Sequence, residues 1–159
     1  MAEEPAGALS EHDLLLRAGF NFNVFLAAAL GFARARGESA ETFLAWTAER
    51  LAPTWAGLRG HGADAVLYLV LQNLASAGYP VEEYAYGADE STAIVGAIPL
   101  GLEPVQWQEL LAPLGVAPEE MQALFRIFVP LAREAGCTLE AREEDGRIRL
   151  TARRLAPAS

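Results

Sequence analysis

Residues 131–154, LAREAGCTLEAREEDGRIRLTARR, change period within a few positions, and that change decides the fold reading of the whole chain. Up to Ala135 the apolar residues keep helical spacing, with Met121, Leu124, Phe125, Phe128, Ala132 and Ala135 on one stripe, until Gly136 stops the helix. Beyond it the period is two. Leu139, Ala141, Ile148, Leu150 and Ala152 point to one face, and Glu140, Arg142, Arg149 and Arg153 to the other. Asp145-Gly146 between the two runs is the preferred chemistry of a two-residue type I′ turn, so Cys137–Glu144 and Arg147–Arg154 are expected to pair as a hairpin. Glu144 then lies opposite Arg147, and Arg142 opposite Arg149, a repulsion that Glu140 or Glu144 must screen diagonally.

An earlier stretch follows the same plan. Residues 74–83, LASAGYPVEE, align in character with residues 131–140, LAREAGCTLE: a helix ending at glycine, then an extended segment. The spacing of Leu67, Val70, Leu71 and Leu74 predicts a helix over 63–77, closed by Gly78 and Pro80. Val81–Tyr86 and Ser91–Pro99 flank the turn residues 87–90, and the near-continuous apolarity of the second run marks an interior strand. Between the units, Glu103-Pro104 opens a short helix ending near Gly115. Pro118 suits the first position of the next helix, which Pro130 strains. A helix–strand–strand repeat is therefore expected, although shared physics can produce the match without duplication.

The N-terminal half reads as helical. Ser10 and Asp13 resemble a capping box, opening a helix that runs to Arg36-Gly37. From Ala18 onward this helix is apolar around nearly its whole circumference, including Phe20, Phe22, Phe25 and Phe32, so its own domain or a partner subunit must surround it. Ser39 caps a second helix whose Leu44, Ala48, Leu51, Trp55 and Leu58 share one face, with a kink or break at Pro53. The fold class is thus α+β: a helical N-terminal half plus two helix–β-hairpin units forming an antiparallel sheet of about four strands. Disordered tails are expected at 1–9 and 156–159, around a single domain at 10–155. Its parts are 10–62 (helical), 63–100 (first helix–hairpin unit) and 101–155 (second unit).

Composition narrows the functional classes. A net charge of −9 repels phosphate backbones and anionic lipid surfaces, so nucleic acid is not an expected partner. All twelve basic residues are arginine, which removes lysine Schiff-base chemistry. One cysteine, Cys137, excludes an internal disulfide and a four-cysteine zinc site, and fits a reducing cytoplasm. Strand alternation places that thiol in the core, as a small hydrophobe. The most apolar run, Ala18–Ala33, is short and carries Asn21 and Asn23, so no membrane span is expected; the acidic start does not resemble a signal peptide.

The order of elements across Ala65–Pro99 and Glu119–Leu155 resembles that of the 4-vinyl reductase (hydrocarbon-binding) domains and the related transport-protein-particle subunits. The resemblance is one of topology, and it implies a pocket for an apolar ligand.

Few side chains suggest chemistry. His61, between two glycines and three residues ahead of Asp64, is the one pairing that offers an acid–base set or the start of a metal site. A solvated loop histidine and a helix N-terminal aspartate explain it as well. No metal site is expected and no cofactor is implied. For a ligand or partner surface the candidates are Asn21, Phe25, Trp55, Tyr84 and Tyr86. The amides of Asn21 and Asn23 need partners in the core, across a dimer or in a ligand. Tyr84 and Tyr86 share a strand face with Glu82, suited to a partner surface or a pocket wall, or to packing beneath the helices. Three readings follow: a non-enzymatic module binding an apolar small molecule or a protein partner as a homodimer, a small enzyme using His61 and Asp64, and a structural or regulatory dimer joined through the first helix.

Overall fold

The fold described here is a computed structural model covering residues 10–156; the tail expected at 1–9, and all but the first residue of the tail expected at 156–159, lie outside the described residues. Helix α1 (Glu11–Ala35) begins at a true capping box, since Ser10 accepts from the Asp13 amide while the Asp13 carboxylate accepts from the Ser10 amide. The Ser10 hydroxyl, which donates to that carboxylate at 2.6 Å, and then the Ser10 amide hold the Asp13 carboxyl below its ordinary range. Helix α2 (Ala40–Leu51) is capped by Ser39. At Pro53 the chain tightens into a 3-10 segment, Ala52–Leu58, so the expected kink is a change of helix type. Helix α3 (Ala63–Ser76) ends at Gly78, whose φ of 86° is the left-handed conformation of a C-terminal cap.

Strands β1 (Val81–Ala85) and β2 (Glu90–Gly96) form the first hairpin. Helix α4 (Pro104–Leu111) and the nearly continuous pair α5 (Pro118–Gln122) and α6 (Leu124–Glu134) lead to β3 (Cys137–Glu144) and β4 (Arg147–Arg154). Asp145 and Gly146 have φ of 51° and 74°, as a type I′ turn demands. The α+β class holds: one antiparallel four-stranded sheet in the order β1-β2-β4-β3, behind a helical N-terminal half. The two hairpins meet along their second strands, β2 and β4. β2 is therefore interior, as its apolarity requires.

One sheet face is covered by α3 and α6, and it buries Ala93, Val95, Cys137, Leu139, Ile148, Leu150 and Ala152. Helices α1 and α2 form a further layer over them. On the open face Arg142 does stand opposite Arg149, and each has its own carboxylate, Glu140 for Arg142 and Glu144 for Arg149 at 2.8 Å. A register shift between Val81 and Glu83 alters the first strand. Such a bulge adds a residue and breaks the alternation. Glu82 consequently turns to an ion pair with Arg147 at 2.9 Å, while Tyr84 stays on the face of buried Ala93, so Glu82 does not share the tyrosines' face.

Helix α1 touches the body through a narrow row of small residues. Gly19, Asn23, Ala27 and Leu30 are buried. At Gly19 a side chain would sit 2.8 Å from the Gly78 Cα, and at Gly31 it would overlap the Leu114 carbonyl oxygen, so glycine is required for contact as close as this. Asn23 locks the seam. Its amide donates to the carbonyls of Gly19 (2.8 Å) and Ala77 (2.7 Å), and its oxygen accepts from the Tyr79 hydroxyl at 2.8 Å. Burial pushes the Tyr79 phenol well above its ordinary range.

Candidate functional site

Where α1 leans over the body, a groove of about 350 Å³ remains open. Phe22 forms one rim, and Leu51, Thr54 and Trp55 come from the end of α2 and the 3-10 segment. Leu74 and Ala77 of α3 and Leu124, Ile127, Phe128 and Leu131 of α6 complete the apolar lining. Trp55 is buried against Phe128, ring centroids 6.1 Å apart. Leu51, expected to face inward, is exposed at the rim, because the tighter winding after it carries Trp55 inward instead. The polar groups are Thr54, Asn73 and Ser76, each donating to a helix carbonyl one turn back. None of the lining side chains ionises. The size and apolar lining are those of a small-molecule site with a few orienting polar groups. Among the described residues every buried side-chain nitrogen or oxygen has a partner.

Beside the groove, the outer face of α1 is bare. Phe25 is 75% exposed, Phe32 63% and Phe22 45%, with Leu14 and Leu15 also in solvent. By length and composition α1 suffices to cross a bilayer. Its Asn23 row, however, is committed to Ala77 and Tyr79, and those bonds would be broken by withdrawal into lipid. Of the two amides weighed from the sequence, Asn23 pairs in the core and Asn21 is exposed.

The remaining candidates are dispersed. His61 is exposed and lines a depression of about 410 Å³ with Arg59, Arg133 and Arg154, in which Arg59 is paired with Glu134. Asp64 is half-buried at the start of α3 and is not part of that lining; no hydrogen bond or ion pair joins it to His61. Among the described residues no group of three or more His, Cys, Asp or Glu side chains gathers to hold a metal. Cys137 is fully buried, and burial pushes its thiol up, away from the reactive thiolate. Tyr84 and Tyr86 touch each other (5.0 Å between rings) and Tyr86 meets Tyr68 of α3 edge-on at 6.3 Å, all three exposed beyond the helix that covers the sheet. Burial, then the neighbouring phenols, raise the Tyr86 hydroxyl.

Sequence reasoning reached Trp55 but missed Leu51, Ile127 and Phe128 as its companions in the groove. Ile127 and Leu131 lie off the stripe of Met121, Leu124, Phe125 and Phe128 with which the helical spacing defines the inner face. The one available signal was the i, i+4 pair Leu51 and Trp55. Compared with known proteins, the chain matches no family model and no curated protein.

Proposed function

We propose that this chain is a non-enzymatic module that binds an apolar small molecule in the groove beside α1 and acts as a homodimer. The observation that carries the first part is the lining: an opening of about 350 Å³ walled by Phe22, Leu51, Trp55, Ile127 and Phe128 with no ionisable group. The hydroxyls of Thr54 and Ser76 have no acid or base beside them in the lining to activate them, and the lining suits a ligand that is itself uncharged and apolar. The topological resemblance to hydrocarbon-binding domains points the same way. The dimer is supported by the outer face of α1, where three phenylalanines leave on the order of 350 Å² of aromatic surface in water, the size of the largest apolar patch on a typical monomer, which is often functional.

The test is titration with Nile red, a neutral apolar dye, alongside native mass spectrometry of gently purified protein. Wild type is expected to bind the dye. Leu51→Arg alters an exposed rim position and is expected to weaken binding roughly tenfold or more while leaving the fold intact. Equal binding by the variant, or no binding by wild type together with no co-purifying molecule, would remove the ligand reading.

A further inference from the structure

The bare face of α1 carries a regular pattern. Leu15, Ala18, Phe22, Phe25, Ala29 and Phe32 follow one another at spacings of 3-4-3-4-3, the a and d positions of a coiled-coil heptad, and Glu11 and Arg36 extend the same spacing by one place at each end. The helix docks through Gly19, Asn23, Ala27 and Leu30 on another face, and of this row only Phe22 takes part in the fold, as a rim of the groove. Leu15, Phe22, Phe25 and Phe32 are all exposed.

We infer that the occupant of this seam is the α1 helix of a second copy of the chain, lying antiparallel. The row is self-complementary about its midpoint, between Phe22 and Phe25: read from either end it runs large, small, large, large, small, large. A twofold axis at that point stacks Phe22 on Phe25 of the partner subunit and Ala18 on Ala29 of the partner subunit. The end layers place Leu15 against Phe32 of the partner subunit. Each is an a–d layer, as antiparallel helix pairing requires, and an isologous interface needs just this kind of self-complementarity. Charge agrees with the register. One step outward, Glu11 meets Arg36 of the partner subunit, opposite in sign at both ends of the seam. A parallel pair would instead stack Glu11 on Glu11 of the partner subunit and Arg36 on Arg36 of the partner subunit. This inference rests on the homodimer reading and adds its orientation and register; the seam meets the ligand groove at Phe22, which forms one rim of it.

Cysteine cross-linking of the full chain tests it, using Ala18→Cys and Ala29→Cys, two substitutions by a small residue. In the antiparallel register position 18 of one copy abuts position 29 of the other. Like positions are then separated along the axis by about 16 Å, beyond the roughly 7 Å that a disulfide tolerates between Cα atoms. An equimolar mixture of the two variants is expected to form a cross-linked dimer on mild oxidation, and neither variant alone to do so. Native Cys137 is buried and does not compete. Cross-linking by A18C alone, or a dimer in ultracentrifugation that the mixture fails to cross-link, overturns the register and leaves the homodimer standing. Protein that stays monomeric at all concentrations, whether or not it floats with phosphatidylcholine vesicles, overturns both, and dye binding then judges the groove by itself.

Discussion

Asn23 illustrates how much one side chain settles. A buried amide without partners would cost about 1–3 kcal/mol for each unmet group, yet here both of its ends are used, tying α1 to the end of α3 and to Tyr79. Tyr79→Phe strips the amide oxygen of its donor in a closed site. Denaturant unfolding is expected to show a loss of about 1–3 kcal/mol. The same residue sets an alkaline limit. The folded phenol is raised above its unfolded value of 10, so its contribution is complete below pH 10 and declines as pH rises beyond that toward the folded value. Stability of the wild type should fall above pH 10 by more than that of Tyr79→Phe; parallel curves would refute the assignment. Helical periodicity could place Asn21 and Asn23 on an apolar helix, but not say which amide faces inward. That choice follows from where Gly19 and Gly78 permit close approach.

At the scale of elements, α1 has two working faces. The inner one is small and hydrogen-bonded, the outer one large and apolar. Phe25 is the most exposed aromatic of the outer face and touches none of the core, so Phe25→Glu should shift folding stability by no more than about 0.5 kcal/mol. It should nonetheless turn the proposed dimer into monomer in sedimentation velocity; an unchanged mass would count against the seam. The sequence led to an expectation that this helix is surrounded, yet its own domain covers only one face; its Ser10 cap and C-terminal end were legible because capping is a local matter of neighbouring residues. The second hairpin was legible for the same reason: Asp145-Gly146 selects the turn, and the turn sets the register. In β1 a bulge parted Glu82 from Tyr84, and a strict alternation has no means of showing an inserted residue.

For the whole molecule, the joining of the hairpins through β2 and β4 places Leu150 and Val95 in the middle of the sheet beneath α3 and α6, while Val81 lies on the edge strand β1. Leu150→Ala is expected to cost about 2–5 kcal/mol in chemical denaturation. Val81→Ala, at a half-buried edge, should cost clearly less, and equal losses would argue against this strand order. The groove also belongs to this scale, because its walls come from α1, the 3-10 segment, α3 and α6, which are distant in the chain.

By itself the sequence determined the α+β class, the helix–hairpin repeat, the caps and the type I′ turn. These depend on periodicity and on residues within a few positions of each other. Only the tertiary structure decided which amide is buried, that His61 and Asp64 do not meet, and that an uncharged groove opens beside Phe22 and Trp55. The physical reason is that a cavity is the space left between elements after they pack. Its shape depends on contacts among residues far apart in the chain, such as Gly19 on Gly78 and Trp55 on Phe128, which no local pattern encodes.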